Sequence, residues 1–286
     1  MAIVAGRNAM TARRLVNFGC GTVFHAAWLN FDAWPTGPEI HCFDVRSPVP
    51  LPNGSVDMCY SSHLLEHLAP KDAERFLREQ HRILKPGGVI RVAVPDLGTL
   101  CETFVDREAR ALAGDEQAVF ELEYTYLEMF DQALRTTAGG DLYSCWLECP
   151  AEHLHFVESR AGDEYRATVA RLAEPGTSAR RKWRAVSPGR AWRFLCERGI
   201  EIVARLLLGR SGAAAVREGL YRQRGEIHRA MYDEVRLTRQ LIAVGFREPV
   251  RMTATQSLLP GFKSYELDAV NGRVRKPDSL FMEAVA

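Results

Sequence analysis

The first hundred residues are built from five short apolar runs, each closed by a small or polar residue. Residues 15–18 run into Gly19-Cys20-Gly21, 28–31 into Asp32, 40–43 into Asp44, 56–60 into Ser61-Ser62, and 89–94 into Pro95-Asp96. Each run is the length of a strand, and a continuous apolar run suits a strand buried on both faces. Between the fourth and fifth runs, Phe76, Leu77, Gln80, Ile83 and Leu84 fall on one face at helical spacing. Pro70 suits the first turn of that helix, and Pro86-Gly87-Gly88 is expected to stop it. Such alternation predicts an α/β chain with a mostly parallel sheet, which binds ligands at the carboxyl ends of its strands.

Residues 99–229 differ. They are strand-poor and read as a helical insert, with Val119, Leu122, Tyr126, Met129 and Phe130 as one apolar stripe and Gly139-Gly140 as a break. The α/β pattern then returns. Residues 235–244 read as a helix closed by Gly245, and 250–254 and 279–285 as strands. The expected division is a core of residues 1–98 and 230–286, with 99–229 as a lid forming an acceptor pocket. A chain of 286 residues is long enough for such a core plus a subdomain.

Charge excludes more than it assigns. With 37 Lys and Arg against 36 Asp and Glu, nothing global argues for nucleic acid as a partner. No apolar segment follows a basic start, and the apolar run at 199–209 holds Glu201 and Arg205 and is well short of the ~20 residues of a bilayer span. A soluble, cytoplasmic protein is expected. The segment 171–224 carries 13 Lys and Arg against 4 Asp and Glu. It reads as solvated helices, with a face for an anionic substrate or a membrane surface as the functional alternative. The seven cysteines form no C-x-x-C pair, and Cys145 and Cys149, followed by His153 and His155, lack a second close pair. No metal site is expected, and the thiols read as reduced.

Gly19-x-Gly21 after a buried strand marks a turn where backbone approaches a ligand. A dinucleotide fingerprint would place a third glycine where Phe24 stands, and an acid ~20 residues on, whereas Asp32 follows Gly21 by eleven. Nicotinamide and flavin are therefore disfavoured. One nucleoside lying across successive strand ends would meet the glycine turn, Asp32, Asp44 and Ser61-Ser62-His63 in order. A carboxylate at the second strand can accept both ribose hydroxyls, and one at the third the adenine amino group. The alternative is that Asp32 and Asp44 merely cap loops.

Residues 15–21 (LVNFGCG), 51–68 (LPNGSVDMCYSSHLLEHL) and 77–97 (LREQHRILKPGGVIRVAVPDL) resemble the motifs of class I methyltransferases dependent on S-adenosyl-L-methionine. The segments FHAAWLNFD (24–32), MFDQALRTTAGGDL (129–142), EHLHFVESRAGDEYR (152–166), EIHRAMYDEVRLTRQLI (226–242) and VRKPDSLFMEA (274–284) are similar to a bacterial subfamily of such enzymes, associated with surface-glycan and natural-product pathways. The resemblance implies a Rossmann-like sheet, mostly parallel with an antiparallel last strand, and S-adenosylmethionine as cofactor. By position, Phe18, Gly19, Cys20 and Gly21 would pass under its methionine part. Asp32 would hold the ribose, Asp44 and Val45 would flank the adenine, and Tyr60, Ser61 and Ser62 would border the sulfonium. Many of these enzymes carry an acid two residues before the first glycine. Asn17 stands there, so the cofactor's amino group would rest on backbone carbonyls or on Asn17.

The expected reaction is methyl transfer to a hydroxyl or amine of a small metabolite or sugar, with a small acceptor of anionic or sugar-like character as the partner. Aminocarboxypropyl transfer, elimination or cyclisation with the same cofactor, and a non-catalytic scaffold, are the alternatives. The donor is already activated, so the protein supplies position, and a general base helps a hydroxyl acceptor. Base candidates are His63, His155 and His228, with Tyr232 one turn from His228. His63 otherwise reads as a helix-start residue, and His67 as structural. Tyr126, Asp131 and Arg135 lie along one predicted helix. Arg135 is expected to meet the acceptor, or else to form a solvated pair with Asp131.

Overall fold

The computed structural model describes residues 13–173 and 188–286. Strands β1 (Leu15–Phe18), β2 (Leu29–Asp32), β3 (Ile40–Cys42) and β4 (Val56–Ser62) are followed by helix α1 (Pro70–Ile83) and strand β5 (Leu84–Pro95). Helices α2 (Leu97–Leu112), α3 (Glu116–Leu134), α4 (Gly140–Glu148), α5 (Leu154–Ala173) and α6 (Pro188–Arg222) come next. The chain closes with α7 (Glu234–Ala243), β6 (Arg247–Met252), a short hairpin of β7 (Ala269–Val270) and β8 (Arg273–Val274), and β9 (Ser279–Val285).

Seven strands form one sheet in the order β3-β2-β1-β4-β5-β9-β6. The pairs from β3 to β5 are parallel, whereas β9 runs antiparallel between β5 and β6. A mostly parallel sheet with an antiparallel last strand is the arrangement expected from the sequence. The strand order reverses beside β1, where β2 lies on one side and β4 on the other. The carboxyl ends of β1, β2 and β4 therefore open onto a common crevice.

The two faces of the sheet are covered differently. On one, α1 and α7 pack Phe76, Leu77, Leu237 and Leu241 onto Val16, Phe18, Ile90 and Met282. On the other, the β1–β2 and β2–β3 connections hold no helix. Leu259, Phe262 and Leu267, from the stretch before the hairpin, cover Leu15, Trp28, Met58 and Tyr60 instead. A fully buried arginine, Arg91, sits on this face and binds Asp268 at 2.7 Å and Glu283 at 2.8 Å. Helix α1 ends at Ile83, three residues before Pro86. Leu84 already starts β5 with φ −67° and ψ 142°, and Lys85, the residue before Pro86, is the one that the proline ring disfavours in helical geometry.

Helix α3 does not bury the expected face. Val119, Tyr126 and Phe130 are exposed, while Ala118, Glu121, Tyr124, Thr125 and Asp131 are buried. The buried polar groups find partners there. Glu121 pairs with Arg107, and the Tyr124 hydroxyl accepts from Trp146 Nε1 at 3.0 Å. Tyr124 and Trp146 belong to a second core with Leu142, Phe156, Val157 and Tyr165, which holds α3, α4 and α5 together. Asp115, Asp96 and Asp233 cap α3, α2 and α7 through backbone N–H groups. Among the described residues no helix is long and apolar enough to cross a membrane. The basic stretch lies partly outside the described residues.

Candidate active site

Two cavities meet at the carboxyl ends of the first strands. The first, of about 910 Å³, is lined by Gly19, Asp32, Phe43, Asp44, Val45, Arg46, His63, Leu64 and His67, with Arg224 and Glu226 from the far side. The second, of about 770 Å³, is lined by Asn17, Gly19, Cys20, Gly21, Tyr60, Ser62 and His63, faced by Asp163, Glu164, Arg166, Arg273 and Lys276. Gly19 and His63 line both. A smaller pocket of about 50 Å³ among Asp96, Tyr124, Glu128, Arg160, His228 and Asp278 also has His63 in its wall.

The glycine turn is fixed from within. Gly19 and Gly21 adopt φ +65° and +53°, the left-handed region that glycine enters without steric cost. Gly19 N–H donates to Phe31 O at 2.8 Å, and Gly21 N–H to Asp32 Oδ2 at 2.8 Å. A side chain at Gly19 would meet Leu64 at 3.0 Å, whereas one at Gly21 would enter open space. The turn thus offers bare backbone to the cleft at Gly21. Asn17, buried beneath it, donates from Nδ2 to Val23 O at 3.2 Å and to Asn30 Oδ1 at 3.3 Å. Its donors serve the turn, and its carbonyl oxygen is what it can offer an ammonium group.

Asp32 and Asp44 line one cleft, and each is also tied locally. Asp32 accepts from the Gly21 and Trp34 amides at 2.8 and 2.7 Å, one on each oxygen. Each oxygen keeps a lone pair. Asp44 is clasped by Arg46 through three side-chain hydrogen bonds of 2.7–3.1 Å. That bond holds the Asp44 carboxyl below the usual range and keeps it an ionised acceptor. The two sequence readings of these acids, ligand contact and loop cap, therefore coexist.

The other expected cofactor contacts divide. Val45 lines the first cavity, and Cys20, Tyr60 and Ser62 the second. Burial pushes the Cys20 thiol up to about 11, so it stays protonated. The Tyr60 hydroxyl donates to Asp268 Oδ1 at 2.6 Å. Phe18 and Ser61 are buried inside the sheet, Phe18 stacked on Phe31 at 5.6 Å, and neither lines either of the two large cavities. Only the Phe18 backbone, leading into Gly19, is near the turn.

His63 follows β4 directly and is itself left-handed, with φ +50°. Its amide donates to Ala93 O at 2.9 Å, so the strand pairing continues through it. Nε2 lies 2.7 Å from Ser279 Oγ and Nδ1 3.4 Å from Glu66 Oε1. Burial drives the His63 pKa well below the ordinary value, with Lys276, His228 and His67 adding to the effect, so the ring is neutral. Burial likewise lowers His67 to about 4 and His228 to about 2, and raises Glu66 to about 8. Left-handed geometry at a non-glycine residue costs of order 1–3 kcal/mol and collects at functional sites.

The expected acceptor contacts on the helices are mostly redirected. Tyr126 is exposed and packs edge-on against Phe104 at 5.1 Å, away from the three cavities. Arg135 is largely buried and lines none of these three cavities: its Nη2 donates to Glu226 O at 2.9 Å, pinning the chain before His228. Asp131 lies 3.7 Å from it and spends Oδ1 on the Asp141 amide at the start of α4. Tyr232 is a core residue, bridged by backbone to Asp96. His155 is exposed on α5, while His228 stands in the smaller pocket. Glu66, Glu164, Lys276 and the Glu128–Arg160 pair were not singled out by the sequence. For Glu66 a signal existed: it is an acid inside the apolar run Leu64, Leu65, Leu68.

Residues 23–92 match the family model described as Methyltransferase domain. No curated protein sequence matches the chain. Among solved structures, the chain is similar to an S-adenosylmethionine dependent methyltransferase from Mesorhizobium loti, with 22% identity over 29% of this chain and 47% of that one, and a TM-score of 0.23. A SAM-dependent methyltransferase from Thermotoga maritima gives 20% identity over 30% and 45% of the two chains, with a TM-score of 0.24. One from Archaeoglobus fulgidus gives 11% identity over 96% and 87%, with a TM-score of 0.38. The match thus spans about half the length of the first two. The sheet and its crevice have the Rossmann-like methyltransferase arrangement. Bare backbone at Gly21, with two acceptor carboxylates lining one cleft, suits an adenosyl group carrying an amino acid. The match to a methyltransferase domain thus falls on residues 23–92, the stretch that carries Asp32, Asp44 and His63.

Proposed function

We propose that this protein transfers a methyl group from S-adenosylmethionine to a hydroxyl or amine of a small polar acceptor, a metabolite or a sugar. The observation that carries the reading is the position of His63, in the wall of both large cavities and of the small pocket between the helices. Asp32, Asp44 and Val45 would hold the adenosine half, and Gly19 to Gly21 the amino-acid half. Bound there, the cofactor supplies a methyl on a positively charged sulfur. The neutral His63 ring offers a lone pair on one nitrogen for the proton that an acceptor hydroxyl must lose. Glu66, 3.4 Å from Nδ1, is placed to fix which nitrogen carries the ring's own proton. Arg166, Arg273 and Lys276, interleaved with Asp163 and Glu164 in the second cavity, suit an acceptor rich in hydroxyls or bearing an acid group.

The test is incubation with labelled S-adenosylmethionine and candidate acceptors, with both products weighed. Release of S-adenosylhomocysteine with an acceptor heavier by one CH2 supports the proposal. Release of methylthioadenosine points instead to aminocarboxypropyl transfer. His63→Asn keeps a residue tolerant of left-handed geometry. It should lower turnover by about 10²–10⁴-fold while the affinity for S-adenosylhomocysteine holds. Unchanged turnover would remove His63 from the chemistry.

A further inference from the structure

Behind His63 lies a carboxylate whose complete burial the contact with that ring does not account for. Glu66 is fully buried, and neither carboxylate oxygen has a hydrogen-bond partner. Leaving a carboxylate so placed costs several kcal/mol unless it is neutralised or paired. Its neighbours are three imidazoles: His63, whose Nδ1 lies 3.4 Å from Oε1, and beyond it His67 and His228. One ligand atom each from Glu66, His67 and His228 lies within 4.8 Å of the others. The rings of His67 and His228 stand edge to face at 4.8 Å.

We propose that Glu66, His67 and His228 form a site for one divalent first-row transition-metal ion. Two imidazoles and one carboxylate are the donors that zinc, cobalt and iron(II) take. With ~2.1 Å from ion to each ligand, tetrahedral donors stand ~3.4 Å apart. The observed spread of 4.8 Å therefore has to close by about 1.4 Å as the three side chains turn inward on the ion.

The surroundings prepare the ligands. His67 Nδ1 lies 3.1 Å from Ile227 O. A carbonyl only accepts, so Nδ1 carries the proton and Nε2, 4.0 Å from Glu66 Oε1, is left with a bare lone pair. A metal-binding histidine is commonly fixed this way, by donating its other N–H to a backbone carbonyl. The same backbone turn supplies the third ligand, since Ile227 precedes His228. Glu66 O accepts from the Arg229 amide at 2.7 Å and the Ala230 amide at 3.2 Å, and the His228 amide donates to Gln132 O at 2.9 Å. The two segments that carry the ligands are thus locked to each other by main chain. The nearby cations are already engaged: Lys276 pairs with Glu164 at 3.4 Å, and Arg135 lies 3.7 Å from Asp131.

Three protein ligands leave a coordination position open, as catalytic sites do. His67 lines the cofactor cleft and His228 the pocket beyond His63. An acceptor oxygen that reaches this point would meet the ion and His63 together.

The experiment uses the full, untagged chain, freed of metal with a chelator and titrated with cobalt(II) as the probe. One equivalent should bind and give visible d–d bands of low-symmetry cobalt, displaced by zinc. His67→Ala, His228→Ala and Glu66→Gln, each checked for folding by circular dichroism, should each weaken cobalt uptake by at least ~10-fold. Glu66→Gln keeps the shape of the neutral acid, so its loss of binding separates a ligand from a protonated buried carboxyl. A folded chain that takes up no cobalt, or one whose uptake survives all three substitutions, overturns the site. Binding of S-adenosylhomocysteine by the metal-free protein, measured alongside, shows whether the cofactor reading stands independently of that outcome.

Discussion

Arg91 on β5 stands directly opposite Glu283 on β9 and binds its carboxylate at 2.8 Å with no solvent exposure on either side chain. The same guanidinium takes Asp268 at 2.7 Å and the carbonyls of Gln256 and Thr253 at 2.9 Å. The last strand and the covering loop are thus fastened to the parallel sheet by one cation. The loop covers the face of β1 and β4 where a crossover helix would otherwise lie, so this cation also secures the floor of the site.

Arg91→Leu should therefore be among the most damaging single changes in the core. It leaves Asp268 and Glu283 buried without their cation, a loss of about 3–5 kcal/mol where one partner of a buried pair is removed. Tyr60→Phe removes one hydrogen bond to Asp268, which keeps Arg91, and should cost less, about 1.5–3 kcal/mol for a bond to a charged group. Urea unfolding of the two variants measures both. Equal losses would show that the network is not centred on the arginine.

The two turn glycines separate stability from ligand binding. Gly19→Ala places a residue at φ +65° with its Cβ 3.0 Å from the Leu64 side chain. Gly21→Ala meets the same backbone penalty at φ +53° but enters open space. Each should lose about 1–2 kcal/mol for the left-handed geometry, Gly19→Ala more because Leu64 must shift. In calorimetry, Gly21→Ala should weaken S-adenosylhomocysteine binding beyond what its stability loss explains. Full affinity in that variant would place the ligand elsewhere.

How much of this was legible follows from where residues bury. The runs at 15–18 and 279–285 coincide with β1 and β9, because interior strands keep apolar residues on both faces. The cleft residues Gly19, Asp32 and Asp44 were legible from their order at strand ends. The face of α3 was not: Glu121 and Asp131 go inside because Arg107 and the start of α4 receive them, and no periodicity reveals a partner distant in sequence. Arg135 was misassigned for the same reason, since Glu226 lies far along the chain. The loop that covers β1 and β4 has no repeat to read. The convergence of Glu66, His67 and His228 needs the contact between residues 66 and 229–230, which sequence spacing does not show.

Asp32 and Asp44 should respond differently to truncation. Asp32→Ala strips acceptors from the Gly21 and Trp34 amides, so it should lower stability by about 1–3 kcal/mol as well as cofactor affinity. Asp44 has a 44% exposed side chain and bonds to an exposed arginine, so Asp44→Ala should change stability by well under ~1 kcal/mol. Its effect should fall on S-adenosylhomocysteine affinity alone. Thermal unfolding beside calorimetry resolves the two, and unchanged affinity in both variants would remove the cofactor assignment of this cleft.

The pocket behind Tyr124 predicts a pH dependence of stability. Glu128 binds Arg160 through both oxygens at 3.0–3.1 Å, yet burial outweighs the pair and raises its pKa from 4.5 to about 7. The folded protein then holds this proton more tightly than the unfolded chain. Its contribution to stability is fully present below pH 4.5 and is lost as pH rises through about 7. The size is on the order of 3 kcal/mol at one pKa unit per ~1.4 kcal/mol. Glu128→Gln does not titrate, so the stability of the natural protein relative to this variant should fall across that window. Denaturant unfolding at a series of pH values measures the difference. A difference that stays flat, or rises with pH, would mean that the Arg160 ion pair wins over burial and that Glu128 is held as a carboxylate.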